Sequence, residues 1–319
     1  MPASVSVIIP TRNRPRFLEA ALRSVLQQTC PIAQIIVVDD ASEAPEALSA
    51  LAALSPEIEI VRRPTQGGPA AARNSGIELA RGEFLLFLDD DDLIHPKFVE
   101  DGLAVLHSRP DIDAVFFLYN LIFQHGSRGI DSPIAHLWEA EHKPHHAPKI
   151  VRAVNSVPPA ILEERPATAF IRFLVPINSC LIRKTAIDGA RFPESLRQGE
   201  DTYFWILLAA CGRRYVLDSR AYAFVSRHPG NTTRSRARYI QEIQACYEKL
   251  LEDGLLTAPD DVFLAHLKLL WFKCLTLRPG KLRHLGHVLG SPLHLVREIG
   301  FWFGNLPPWR RILEYHLPK

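Results

Sequence analysis

The feature that most constrains this chain is a run of five apolar residues, Phe84, Leu85, Leu86, Phe87 and Leu88, that leads without interruption into Asp89, Asp90, Asp91 and Asp92. Such a run, with no polar alternation, fits a strand covered on both faces, as in a parallel sheet between two helix layers. The acids then fall at its carboxyl end, where open α/β sheets bind ligands. Four adjacent carboxylates repel one another until water or a cation neutralises them. If the backbone stays extended, Asp89 and Asp91 point to one side about 6 to 7 Å apart, at ~3.3 Å of rise per residue. Oxygen donors of this kind suit Mg²⁺ or Mn²⁺, with substrate phosphates completing the shell. The competing reading is a solvated turn in which Asp92 caps a helix expected over residues 96–108.

Upstream, a β-branched run at residues 5–9 is ended by Pro10 and followed by Thr11, Arg12, Asn13 and Arg14, after which Pro15 opens a helix. Leu18, Ala21, Leu22, Val25 and Leu26 give that helix one apolar face. A second buried strand, 35–38, ends in Asp39 and Asp40. A short helix at 45–54, a strand at 58–61, and Gly67-Gly68-Pro69 before another helical stretch lead back to the strand at Phe84. Alternating strands and helices with short connections predict a doubly wound, mostly parallel sheet flanked by helices.

Beyond Ser108 the pattern is less regular. A strand is expected at 114–119, and residues 124–159, rich in His, Pro and Gly, read as an irregular loop near the site. His136, His142, His145 and His146 within it match no standard zinc spacing. After a strand at 179–182, Glu200 and Asp201 stand at the mouth of an apolar helix, 202–210. Two carboxylates there suit the helix dipole, so a cap competes with a functional pair. Strands at 214–217 and 221–226 precede a turn carrying Arg227 and His228, and from Arg234 onward the pattern is helical, broken at Gly280, Gly290 and Pro292.

With 319 residues, 47% of them hydrophobic, the chain can build a large core. A formal net charge of +2 argues against a nucleic-acid partner, which normally meets a strong basic excess. Five scattered cysteines, Cys30, Cys180, Cys211, Cys246 and Cys274, read as reduced thiols of a cytoplasmic protein. No signal peptide or membrane-spanning run is expected, since Pro10 cuts the first apolar stretch short, and the sequon at Asn231 then stays idle. Residues 262–319 hold nine Lys or Arg against Glu298 and Glu314, together with Trp271, Phe272, Phe301, Trp302, Phe303 and Trp309. This predicts either peripheral contact with the anionic inner face of a membrane or a helical appendage packed on the main domain.

Read in order, Pro10-Thr11-x-Asn13-Arg14, Val37-Val38-Asp39-Asp40-Ala41-Ser42, Gly67-Gly68-Pro69-Ala70-Ala71-Ala72-Arg73-Asn74, Phe87-Leu88-Asp89-Asp90-Asp91-Asp92 and Gly199-Glu200-Asp201 resemble the family-two glycosyltransferases, inverting enzymes of the GT-A fold. The resemblance covers about 230 residues. It implies a catalytic domain over 1–230, with a nucleotide-sugar half at 1–110 and an acceptor-side half at 111–230, followed by a helical region at 231–319. It implies a nucleotide-sugar donor, commonly a UDP-sugar, with Pro10, Thr11 and Arg14 bordering the base and Asp39 accepting from uracil or ribose. Asp40 would only shape its turn, and Arg73 would reach the uridine or the diphosphate. Amides near Gly67 and Gly68 would help hold an anion or merely start a helix.

Asp89 and Asp91 match the outer acids of the family's D-x-D motif. Asp91 is then the direct ligand of Mn²⁺ or Mg²⁺, and Asp89 binds ribose or metal. Asp90, an unusual acid at the middle position, joins the donor site and leaves the ligand assignment among the four acids open. By the same resemblance His228 approaches the metal or diphosphate, Asp201 is the general base, and Glu200 raises its basicity or orients acceptor hydroxyls. The implied reaction is sugar transfer to a carbohydrate or lipid-linked acceptor in cell-surface polysaccharide or glycolipid synthesis. The rivals are a catalytically silent nucleotide-binding or scaffolding module and a sugar nucleotidyltransferase. The latter normally has a Gly-rich loop after the first strand, and residues 10–15 contain no glycine. No G-x-G-x-x-G motif follows a strand, which disfavours a nicotinamide enzyme.

Overall fold

The computed structural model describes residues 4–123, 149–153, 157–173, 175–228 and 236–276. The four loop histidines, the sequon and residues 277–319 lie outside them. The amino-terminal half alternates as expected: β1 (Val5–Thr11), α1 (Pro15–Leu26), β2 (Gln34–Asp39), α2 (Glu46–Ser49) running into a 3-10 turn, β3 (Ile58–Arg62), α3 (Gly68–Leu79) and β4 (Phe84–Phe87). Then come β5 (Leu93–Ile94), α4 (Phe98–Ser108), β6 (Ala114–Phe123), β7 (Lys149–Ala153), α5 (Pro159–Glu164), α6 (Pro166–Arg172), β8 (Cys180–Arg183), α7 (Glu200–Ala210), β9 (Tyr215–Arg227), α8 (Arg236–Glu252) and α9 (Pro259–Thr276).

The strands form one sheet in the order β3-β2-β1-β4-β8-β6-β9-β5, with β7 added on β6. The first four are parallel, and β8 joins them antiparallel to both β4 and β6. Strand residues alternate between two cores, as the two-residue period of a strand requires. Ile8, Ile36, Val38, Leu85 and Phe87 face α3, α7, α8 and α9, whereas Val7, Ile9, Ile35, Val37 and Leu86 face α1 and α4. This explains the uninterrupted apolar runs, since both faces of the sheet are covered. Among the described residues no helix is long and apolar enough to cross a membrane.

Three sequence expectations change. The strands expected at 214–217 and 221–226 are one strand, β9, whose pairing with β6 slips around Leu118. The polar break Asp218-Ser219-Arg220 is absorbed as a bulge, with Arg220 bonded to Asp218. Residues 149–153, expected within an irregular loop, pair with β6 as β7. The helix expected at 96–108 begins at Phe98, and Asp92 does not cap it.

Candidate active site

β1, β2 and β4 are parallel neighbours, so their carboxyl ends deliver Thr11, Asp39 and the acid run to one edge of the sheet. Pro10 and Thr11 end β1, buried beside Val38 and Asp39 of β2. After β4 the backbone does not stay extended. The Asp92 amide donates to the Asp89 carbonyl at 3.1 Å, and this turn sends the four carboxylates in different directions. The common side expected for Asp89 and Asp91 is not found.

Asp92 turns inward, where it accepts from the Ser226 amide at 2.7 Å and from Asn178 Nδ2 at 3.0 Å, tying β4 to β9 and to the segment before β8. Burial, with the charges of Asp91 and Asp89 added, pushes its carboxyl well above the usual range. Asp90 is buried too. It accepts from Thr11 Oγ1 at 2.7 Å and from Arg14 at 3.2 Å. Burial and the Asp91 charge push it up to about 7 against the pull of Arg14.

Asp91 faces a different set of partners. Its Oδ2 lies 3.0 Å from Arg14 Nη1 and 3.0 Å from His228 Nε2. Burial alone would raise its carboxyl, but the His228 hydrogen bond and the Arg14 charge outweigh it and hold Asp91 below the ordinary value. His228 follows β9 and stacks on Phe17 of α1 at 4.4 Å between centroids. Asp89, the most open of the four, accepts at Oδ1 from Arg73 Nη2 at 2.6 Å.

Arg73 is buried on α3 and reaches two ways. One arm holds Asp89, and the other donates to Glu200 Oε1 at 2.9 Å. Among the described residues its Nε has no acceptor. The guanidinium packs over Phe192, which stacks on Phe204 of α7 at 3.9 Å, while Phe87 of β4 meets both rings edge-on. This aromatic cluster fixes the mouth of α7 against the end of β4. Gly199, with φ of +80°, turns the chain into α7 and places Glu200 and Asp201 in its first turn. Burial pushes Glu200 up to about 7, with Arg73 opposing and Asp201 adding. Asp201 is raised as well, chiefly by burial, and its Oδ1 takes the Thr202 amide at 2.7 Å.

The acids after β2 have partners that the sequence did not indicate. Asp40 is more than a turn-former, because its carboxylate takes the Gly67 and Gly68 amides at 2.9 and 2.8 Å, so these amides already hold an anion of the chain itself. Asp39 accepts from the Ser42 amide and from Arg62, each at 2.8 Å, and lines a cavity of about 320 Å³ with Pro45, Ser49, Ala52, Ile60 and Arg62. Arg62, Arg63 and Phe17 were missed from sequence. The paired arginines at the end of the third strand, beside two acids at the end of the second, were a readable signal for ion pairing across parallel neighbours. The Phe17 stack under His228 joins residues 211 positions apart and left none.

As a cation site, Asp91 Oδ2 and His228 Nε2 are separated as two neighbouring ligands about 2.1 Å from one ion would be. Among the described residues no three His, Cys, Asp or Glu side chains form a metal site by themselves. Mg²⁺ characteristically keeps several waters and binds through one or two protein groups plus substrate phosphates.

The model of the family Glycosyl transferase family 2 matches residues 6–149, the stretch that supplies Thr11, Asp39, Arg73 and the acid turn. Over that stretch the chain is similar to the family-two glycosyltransferases. An uncharacterized glycosyltransferase of Haemophilus influenzae is 36% identical over 112 residues, 35% of this chain and 37% of that protein. The putative glycosyltransferase EpsH of Bacillus subtilis is 31% identical over 145 residues, 45% and 41% of the two chains. The minor teichoic acid biosynthesis protein GgaB of the same species is 26% identical over 243 residues, 73% of this chain and 24% of its own. The matched region thus spans less than half the length of these relatives.

The chain has the GT-A architecture of solved glycosyltransferases. Mannosyltransferase PcManGT from Pyrobaculum calidifontis, in complex with GDP-Man and Mn²⁺, superposes with a TM-score of 0.61 at 18% identity, covering 96% of this chain and 82% of that one. S. aureus TarS in complex with UDP-GlcNAc gives 0.58 at 20% identity, covering 92% and 81%. At such identities the likeness establishes the fold.

Proposed function

We propose that the chain is a divalent-metal-dependent, inverting glycosyltransferase that moves a sugar from a nucleotide-sugar, UDP-linked, to an acceptor hydroxyl. The observation that carries this reading is Arg73, whose two arms join the acid turn after β4 to the Glu200–Asp201 pair at the start of α7. One site thereby holds a place for the donor diphosphate and, beside it, a buried carboxylate pair with raised affinity for a proton. TarS and PcManGT, which share the fold, have structures in complex with UDP-GlcNAc and with GDP-Man and Mn²⁺, respectively.

In the proposed site, residues 1–110 form the donor half and 111–230 the acceptor side. Pro10, Thr11, Arg14 and Asp39 border the nucleoside, and Arg73 and Asp89 lie toward the ribose and diphosphate. Asp91, with His228 beside it, would hold Mn²⁺ or Mg²⁺, which when bound supplies Lewis-acid stabilisation of the leaving diphosphate. Asp201 accepts the proton of the acceptor hydroxyl as that oxygen bonds to the anomeric carbon. The bond from that carbon to the diphosphate breaks, and its electron pair leaves with the nucleotide. Glu200, fixed by Arg73, keeps Asp201 basic and orients the acceptor. We assign a carbohydrate or lipid-linked acceptor and a cytoplasmic place of action in cell-surface polysaccharide or glycolipid synthesis, the last supported by the likeness to GgaB.

The test is nucleotide release from a panel of UDP-sugars with Mn²⁺, on the wild type and on Asp201→Asn. Loss of turnover by at least about a hundredfold, with nucleotide binding retained, is expected. Equal turnover in the variant removes Asp201 as the base. Binding without turnover in the wild type favours the silent module.

A further inference from the structure

Arg14, Arg62, Arg63 and Arg73 each pair with a carboxylate at the carboxyl edge of the sheet. Arg227 does not. Its backbone is pinned on both sides to the acid turn, because the Ser226 amide donates to Asp92 Oδ1 at 2.7 Å and His228 Nε2 lies 3.0 Å from Asp91 Oδ2. The half-buried side chain between these anchors makes no hydrogen bond or ion pair with a described residue. Taking a charge partly out of water costs free energy unless something pairs with it, so a cation fixed at a site in this way suits an anionic ligand.

Two hydroxyls stand within reach of that charge. Tyr119 of β6 pairs in register with Ala223, and Arg227 lies four residues further along β9 on the same face. Tyr239 belongs to α8. That helix runs beside α7 in the same direction, since Cys246 bonds to the Gly199 carbonyl and Asp253 to the Tyr203 hydroxyl. Tyr239 precedes Cys246 by seven residues, on the same helix face and about 10 Å nearer the start of α8, at ~1.5 Å per residue. The first turn of α8 therefore overhangs the mouth of α7, where Asp201 sits. Burial, with the Asp201 charge adding and Arg227 opposing, pushes the Tyr239 hydroxyl up to about 12, and burial raises Tyr119 against the pull of Arg227. Both hydroxyls thus keep their protons, and neither bonds to a described residue.

One cation and two hydroxyl donors are therefore grouped on the Asp201 side of the site, none of them engaged by a described acceptor. Donors arriving from a strand end, a neighbouring strand and a helix suit a tetrahedral phosphate, with three oxygens to offer, better than a flat carboxylate with two. We propose that Arg227, flanked by Tyr119 and Tyr239, binds a phosphate carried by the acceptor, close to the hydroxyl that receives the sugar. The acceptor class is then a phosphorylated sugar or polyol. The anion site stands by itself, and its assignment to the acceptor rests on the sugar-transfer reading.

The experiment is equilibrium dialysis of the full chain against labelled sn-glycerol 3-phosphate at constant ionic strength, with saturating UDP and Mn²⁺ present. Wild type is expected to bind the probe saturably, with inorganic phosphate competing and glycerol not. Binding should weaken at least about tenfold in Arg227→Gln and about threefold in Tyr239→Phe, and Arg227→Lys should recover part of the loss. Arg227 bonds to no described residue, so the unfolding temperature of Arg227→Gln should match wild type. Should that variant fold poorly, Tyr239→Phe decides, and undiminished binding by it overturns the proposal. Absence of saturable binding, equal competition by glycerol, or full binding by folded Arg227→Gln also overturns it. Displacement of the probe by UDP overturns it in favour of the donor diphosphate. Binding through Arg227 in a chain that never binds UDP keeps the anion site and overturns its assignment to the acceptor, together with the sugar-transfer reading.

Discussion

At the scale of single residues, the site is a set of carboxylates that burial and neighbours have driven apart in proton affinity. Asp91 is held ionised by His228 and Arg14, whereas Asp90 and Glu200 are pushed up to about 7 and Asp92 well above its usual range. The acceptor-side pair gives a stability prediction. The ordinary value for Glu200 is 4.5 and its folded value about 7, so between these the folded chain binds the extra proton. Its stabilising contribution is complete below pH 4.5 and is lost as pH rises through 7. Glu200→Gln keeps an oxygen for Arg73 but cannot titrate. Its unfolding temperature should therefore fall less steeply across that window than that of the wild type, and identical slopes would show that Glu200 is not the titrating group. The D-x-D acids, the Glu-Asp pair and His228 were legible as residues. Their partners were not, because side-chain direction after β4 is set by the Asp89–Asp92 turn and by contacts such as Arg73 to Glu200, 127 residues apart.

At the scale of elements, the parallel half of the sheet was legible because its strands are buried on both faces and carry no polar interruption. β9 was less so, since a charged Asp218-Ser219-Arg220 break looks like a loop until the bulge against β6 is seen. β7 was hidden because its partner strand lies 30 residues upstream across a stretch without periodicity. The α7 mouth supplies the element-scale prediction. An added Cβ at Gly199 would stand 2.9 Å from Ile243 Cδ1 and 3.0 Å from Cys246 Cβ, on a backbone with φ of +80°. Gly199→Ala should cost about 2 to 4 kcal/mol, from left-handed strain together with overpacking. Urea unfolding measures this, and an unchanged midpoint would mean that α8 does not clamp the turn.

At the scale of the whole molecule, the expected boundary near residue 230 does not interrupt the core. Ile243, Cys246, Tyr247, Leu250 and Phe272 belong to the same buried cluster as Phe87, Phe204 and Trp205. Cys246 also donates to the Gly199 carbonyl at 3.2 Å, and Tyr247 to the Ile171 carbonyl at 3.2 Å. A chain ended at residue 230 should therefore lose cooperative thermal unfolding, because one wall of that cluster would face water. A sharp transition near the full-length temperature would show instead that 1–230 folds alone.

The central claim is that the acid turn binds a nucleotide through a divalent cation. The most direct measurement is the unfolding temperature with UDP, with and without Mn²⁺, for the wild type and Asp91→Ala. At a hundred times its dissociation constant the ligand should add about 2.7 kcal/mol, a rise on the order of 5 °C. The account predicts that this rise requires Mn²⁺ and disappears in Asp91→Ala. A temperature unmoved by UDP and Mn²⁺ together, or a rise that Asp91→Ala retains in full, would contradict it.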